Sequence, residues 1–245
     1  GAGFLGKKYC QFFLKKNFIV LCVDNNRSKL KQINLIKSNN IKTFVCDITN
    51  ENEVQELYKK INKKFFVNVL INNAAIDAVP FQNKSLNQKL PNNIDWDREI
   101  GVGLKGSFLM IKYFGEKMIK KKRGSIINIG SDLSVIAPNQ KLYKSSYKNY
   151  IKPVTYSVIK HGLLGLTRYF ASLYAKDKVR VNMISPGPVY NNQSQKFLKE
   201  LKKVIPMERL SDANEILGSL YFLADPASSY ITGQNILIDG GRTII

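Results

Sequence analysis

Apolar residues recur along this chain of 245 residues with two alternating periods. Helical spacing, with apolar positions returning every three or four residues, covers 4–14, 27–38, 51–62, 96–121, 153–175, 193–204 and 213–224. Between these lie short apolar runs of strand length, at 19–23, 43–46, 67–71, 125–129, 179–184 and 234–238. Strands alternating with helices predict an α/β fold: a doubly wound parallel sheet, helices on both faces, and a site at the strands' carboxyl ends. A single domain over 1–245 is expected, without repeats or linkers and with a small substrate lid at about 186–206. Thr49 is placed to N-cap the 51–62 helix and Asp95 the long 96–121 helix. Gly124 is placed to stop that long helix, and Pro153 suits the first turn of the next. The stretch 80–93 is polar and irregular, and 132–152 reads as a second long loop.

Gly1, Gly3 and Gly6 form a G-x-G-x-x-G run, Gly1-Ala2-Gly3-Phe4-Leu5-Gly6, that leads into the first helix. Such glycines let a diphosphate approach the backbone, with the helix N-terminus facing its charge. The next strand ends in Asp24, about 20 residues on, where a carboxylate can bond the adenosine ribose hydroxyls or simply cap the following helix. Asn72, Asn73, Ala74 and Ala75 follow another strand, and small residues there let a flat ring lie against the backbone. The strand that should run into the glycines is absent. It would be the middle of the sheet, so the chain reads as part of a longer protein.

The sharpest chemical signal is Tyr156-Ser157-Val158-Ile159-Lys160 at the start of a helix. Residues four apart share a helix face, and an ammonium beside a phenol favours the phenolate. Tyr156 is therefore a candidate proton donor or acceptor near neutral pH. The spacing alone is shared with ordinary exposed helix pairs. His161 projects about 100° away from Lys160 on the helix and reads as a packing residue.

Composition changes the picture little. Lysine and arginine number 38 against 18 acidic residues, a net charge of +20, which raises nucleic acid as a partner. The lysines are scattered over helix ends and polar faces, which fits a solvated surface or attraction of an anionic substrate better than a nucleic-acid footprint. Cys10, Cys22 and Cys46 show no metal-ligand spacing, no metal is expected, and free thiols point to a reducing cytoplasm. No apolar run approaches the ~20 residues of a membrane span.

Taken in order, Gly1 to Gly6, Asp24, Asp47-Ile48, Asn72 to Ala75, Ser131, Tyr156-x-x-x-Lys160, Pro186-Gly187 and Asp239-Gly240-Gly241 resemble the short-chain dehydrogenase/reductase family from end to end. The resemblance implies a Rossmann fold, a nicotinamide cofactor, oxidoreduction between hydroxyl and carbonyl, and helix-mediated homodimers or homotetramers. It implies Tyr156 as acid/base, with Lys160 as the partner that lowers its pKa and grips the nicotinamide ribose. Ser131 would orient the substrate oxygen. Gly1, Gly3, Phe4, Leu5 and Gly6 would cradle the diphosphate, and Asp47 and Ile48 would contact the adenine. Asn73, Ala74 and Ala75 would line the adenosine and ribose, and Val189 would bond the carboxamide through its backbone. Asp24 implies NAD(H) over NADP(H), since a carboxylate repels a 2′-phosphate.

Two positions depart from the family pattern. Gly103, in Val102-Gly103-Leu104-Lys105-Gly106, stands where the family usually has an asparagine of the proton relay. Ser131 and Tyr156 are 25 apart, about twice the common spacing, because of an insertion over 139–152. This insertion carries Lys141, Lys144, Lys148 and Lys152 with Tyr143, Tyr147 and Tyr150, and reads either as a solvated loop or as a lid for an anionic sugar. The loops over 130–152 and 185–193 look like those of bacterial surface-sugar dehydrogenases, of the flagellin-modification and legionaminic-acid type. The leading expectation is thus a cytoplasmic NAD(H)-dependent oxidoreductase for a small sugar or sugar phosphate, with no nucleic-acid or membrane partner. A 3-oxoacyl-carrier-protein reductase and a cofactor-binding pseudoenzyme are the alternatives.

Overall fold

A computed structural model describes residues 1–76, 93–147 and 150–245, apart from the side chains of Asn93, Ile94 and Ser145. The expected loop at 80–93 and Lys148 fall essentially outside the described residues. Six strands and nine α-helices alternate through those that are described: α1 (Phe4–Lys15), β1 (Val20–Asp24), α2 (Arg27–Asn34), β2 (Ile41–Val45), α3 (Glu51–Asn62), β3 (Val69–Asn72), α4 (Asn93–Ile100), α5 (Gly106–Lys121), β4 (Gly124–Ile129), α6 (Gln140–Ser146), α7 (Val154–Tyr174), β5 (Val179–Pro186), α8 (Gln195–Lys202), α9 (Leu217–Ala224) and β6 (Asn235–Ile238). Every strand pairing is parallel.

The strands carry apolar residues on both faces because both are covered. In β4, Ile126 packs with α3, α5 and α7, whereas Ile127 and Ile129 face α1 and α9. In β5, Val181 shares the first of these cores and Ile184 the second. The period of two thus divides one apolar strand between two helical layers. The sheet lies in two pieces, β1–β2 and β3–β4–β5–β6. β1 and β3 line the sides of a cavity of about 660 Å³ whose walls include Tyr9, Phe13, Val20, Phe65 and Leu70. No strand among the described residues lies between them.

Several element ends differ from expectation. Asn50, not Thr49, caps α3, accepting from the Asn52 and Glu53 amides, while the Thr49 hydroxyl donates to Asp47 Oδ1. The long helix begins at Asn93, so Asp95 lies inside its first turn, paired with Arg98. Gly124 does not stop this helix. Lys122 does, in the left-handed region at φ 49°, and Gly124 opens β4. The helix expected over 213–224 starts as a 3-10 turn, Ala213–Ile216, with Asp212 and Glu215 forming a capping box.

Two differences bear on the site. The long helix is interrupted by a π-helical turn, Gly101–Lys105, between α4 and α5. Gly101, Gly103 and Gly106 make the wide turn accessible, and such turns cluster at functional sites. The stretch 132–152 is not a loop throughout. It holds a 3-10 turn, Asp132–Ser134, and then α6, whose Leu142 packs with Phe197, Leu198 and Leu201 of α8.

Candidate active site

Strand β4 delivers the first piece of the site. Beyond Ile129, Gly130 keeps the chain against β5, where a Cβ would stand 2.0 Å from Met183 Cε. Ser131 then caps the 3-10 turn, its Oγ accepting from the Leu133 amide (3.2 Å) and donating to Asp132 Oδ1 (2.8 Å). Helix α7 packs on this turn and delivers Tyr156 and Lys160. Lys160 is buried, donates through Nζ to the Ile129 carbonyl (2.9 Å) and lies 5.6 Å from the Tyr156 ring centroid. The three expected chemical residues therefore come together at the carboxyl end of β4. His161 does not pack inside. It is exposed, with Nδ1 3.0 Å from the Ser157 carbonyl oxygen.

The glycine run sits at the start of α1. A Cβ on Gly1 would stand 2.2 Å from the Val23 carbonyl oxygen, and one on Gly6 would stand 1.8 Å from the Gly1 carbonyl oxygen. Gly3, the N-cap of α1, has nothing within 4 Å of such an atom and gives the helix no side-chain cap. Two glycines thus let the turn close and the third leaves open space before unsatisfied helix N–H groups, a cradle that fits a diphosphate. Phe4 and Leu5 form the first turn behind it, and Asn73 Nδ2 reaches to within 3.4 Å of the Gly6 Cβ position.

Asp24 ends β1 with Oδ2 accepting from Ala2 N (2.8 Å) and Gly1 N (2.9 Å), and Oδ1 from the Asn26 amide (2.9 Å). The helix-cap alternative is excluded, since Asn26 caps α2. Burial acts to raise the Asp24 carboxyl, and the Ala2 and Asn26 amides act to lower it. Asp47 spends its Oδ1 on Thr49, and Ile48 packs over Gly106. Ala74 joins Gly1, Gly6 and Asn73 on the wall of the large cavity, and Ala75 follows it. Val189 pairs with Ser211 through the flanking Pro188 carbonyl and Tyr190 amide, which turns its own amide away from that bridge.

Comparison with known proteins decides the family. The family model described as enoyl-(acyl carrier protein) reductase matches residues 4–243. A 3-oxoacyl-(acyl-carrier-protein) reductase of Buchnera aphidicola subsp. Acyrthosiphon pisum is 32% identical, the match covering 98% of this chain and 93% of that protein. The chain belongs to the short-chain dehydrogenase/reductase family. An NAD-dependent glycerol dehydrogenase of Listeria innocua is 28% identical, over 98% of this chain and 90% of that protein. Among solved structures, a short chain dehydrogenase from Leptospira borgpetersenii with bound NAD+ superposes with a TM-score of 0.86 at 30% identity, covering 99% of this chain and 89% of that one. The protein is an oxidoreductase of this family, and no helix among the described residues is long and apolar enough to cross a membrane.

Against that family background, Gly103 has a local cause. A Cβ there would stand 2.4 Å from Ile159 Cγ2, so the Ile159 side chain occupies the space a larger residue would need. Glycine in a helix ordinarily costs about 1 kcal/mol relative to alanine, from which Gly103→Asn is expected to firm the helix. The contact reverses this sign. Gly103→Asn should lower the melting temperature and displace Ile159, the neighbour of Lys160, while Gly103→Asn with Ile159→Ala recovers part of the loss. Thermal melts of the two variants check this, and a single variant at least as stable as the parent would refute it.

Four features were missed in the sequence. The π turn has no pattern beyond its glycines. Asp132 and Arg242 form a buried ion pair beside Ser131, although 110 residues separate them. Gln140 holds the Lys152 backbone by two hydrogen bonds, Lys152 N–H to Oε1 (2.9 Å) and Nε2–H to the Lys152 carbonyl (3.1 Å). Lys152 itself is buried, with Nζ 3.8 Å from the Tyr156 ring centroid. The insertion's tyrosines do not offer free faces to a sugar. Tyr143 and Tyr147 each stack on Phe197 at 5.3 Å, and Tyr150 lies against both tyrosines. Among the described residues of the segment, Lys141 and Lys144 are exposed and Lys152 is turned inward, around a small packed layer of the three tyrosines.

Proposed function

We propose that this protein interconverts a hydroxyl and a carbonyl on a small polar substrate, a sugar or sugar phosphate, using NAD(H) in preference to NADP(H). The observation that carries this reading is the Lys160–Ile129 hydrogen bond, which pins the Tyr156/Lys160 pair to the strand end from which Ser131 emerges. In this reading Tyr156 exchanges a proton with the substrate oxygen, Ser131 hydrogen-bonds that oxygen, and Lys160 favours the phenolate. Gly3 and the start of α1 hold the diphosphate, Asp24 the adenosine ribose, Asp47 with Ile48 the adenine end, and the Val189 amide the carboxamide. When bound, the nicotinamide supplies or takes up the hydride.

Asp24 supports NAD(H), because a ribose 2′-phosphate facing its carboxylate would be repelled. The packed α6/α8 layer supports a small substrate, and α8 within 186–206 serves as its lid. Exposed Phe108 on α5 with Val158, Tyr169 and Leu173 on α7 supports a homodimer or homotetramer through these helices. Buried free thiols at Cys10, Cys22 and Cys46 support a reducing cytoplasm. The second reading, reduction of a 3-oxoacyl thioester, is favoured by the Buchnera relative. Titration with both reduced nucleotides separates the cofactor classes. NADH should bind more tightly than NADPH, and Asp24→Ala should narrow the gap. Equal or tighter NADPH binding by the parent would overturn the preference, and turnover of a 3-oxoacyl thioester but no sugar would establish the second reading.

A further inference from the structure

We propose that Lys152 is a positioning residue for Tyr156: a second, buried cation that lowers the pH at which this tyrosine exchanges its proton. The inference rests on the reading of Tyr156 as the acid/base and goes beyond the Tyr156/Lys160 pair. Three observations carry it. The Lys152 Nζ is 3.8 Å from the Tyr156 ring centroid, closer than the 5.6 Å of Lys160. The residue is only 7% exposed, so solvent screens its charge little. Its place is built rather than incidental. Gln140 grips the backbone amide and carbonyl of Lys152, α6 anchors Gln140 through Leu142 and Tyr143 on α8, and Pro153 caps α7 immediately afterwards.

A cation over an aromatic face attracts the neutral phenol weakly and the phenolate strongly, because the anion's charge is shared between oxygen and ring. The difference favours deprotonation. An opposite charge at this range moves a pKa by about 1–3 units. Other charged groups among the described residues act on the same tyrosine. Lys160 on α7 acts in the same direction. Asp132 and Arg242, beside Ser131, neutralise one another. Glu99 on α4, which accepts from the Thr155 hydroxyl next to Tyr156, keeps its negative charge and acts in the opposite direction. The insertion between Ser131 and Tyr156 thus acts on the chemistry from the face of the tyrosine ring, by delivering a charge.

The test needs no substrate. Ultraviolet absorbance of phenolate, followed against pH on the purified protein, resolves the tyrosine that ionises earliest. Tyr156→Phe should abolish that step. Lys152→Met should move it up by about 1–3 units, Lys152→Arg should leave it in place, and Gln140→Ala should move it up by less. The direction is fixed by linkage: removing a cation raises the phenol pKa, so proton acceptance by Tyr156 begins at higher pH, and alcohol oxidation near neutrality slows while reduction extends to higher pH. A merely structural role would depress both directions together. Circular dichroism establishes which variants fold. If Lys152→Met does not, Gln140→Ala carries the test alone. The earliest step unchanged in the folded variants, with Tyr156→Phe lacking it, would overturn the role of Lys152 only. Persistence of the step in Tyr156→Phe would overturn the acid/base reading as well.

Discussion

Tyr156→Phe should lower kcat at least ~10²-fold, the lower end for a positioned acid/base, and leave nucleotide affinity nearly unchanged. In the proposed reading the phenol is the proton-exchanging group, which helix α7 presents at the carboxyl end of β4 together with Lys160. Lys160 itself is held by the Ile129 carbonyl, so removing the phenol oxygen leaves its backbone anchor and the glycine cradle intact. Binding and turnover should therefore separate, with the loss confined to the chemical step. The measurement is steady-state turnover of a carbonyl substrate with NADH, beside a nucleotide titration of the same variant. Turnover retained within a few-fold would remove Tyr156 from the mechanism. A parallel loss of nucleotide affinity would show instead that the substitution disturbs α7.

What the sequence made legible follows from periodicity and from short motifs. The parallel sheet could be read because strands buried on both faces are apolar runs between helices of period 3.6, as Ile126 and Ile127 illustrate by facing opposite layers. The Tyr156/Lys160 pair and the glycine run could be read because their geometry is local: one helical turn, and one strand-to-helix turn. Ser131 was placed by family resemblance alone. What escaped depends on contacts between distant residues. Arg242 meets Asp132 only because the chain after β6 folds back on the turn after β4. The insertion's tyrosines resemble ligand contacts in sequence, and only α8 decides that they are core. In sequence Lys152 is one of four lysines of the insertion that could face an anion, and only the Gln140 hydrogen bonds and Pro153 fix its direction. Gly103 illustrates the limit most directly, since its meaning lies in Ile159 on another helix.

Arg242→Met should destabilise the fold severely, by about 3–5 kcal/mol, because it leaves the Asp132 carboxylate buried without its cation. Asp132 is 2% exposed and Arg242 7%, so water does not replace the lost partner. For a chain of this length a loss of that size lowers the melting temperature by roughly 6–20 °C. The pair also bears on the site. Asp132 Oδ1 receives the Ser131 hydroxyl and the Leu133 amide while Oδ2 faces Arg242, so the ion pair fixes the turn from which Ser131 points. Removing both charges, as Asp132→Asn with Arg242→Met, should restore much of the melting temperature, since the penalty belongs to the uncompensated charge rather than to the lost attraction. The double variant should nevertheless remain slower than the parent in turnover, because an amide holds the Ser131 hydroxyl less firmly than a carboxylate. A single variant melting within a degree of the parent would show that Asp132 finds another partner or releases its charge. A double variant no more stable than the single would show that packing of the arginine stem, not charge, is what the turn requires.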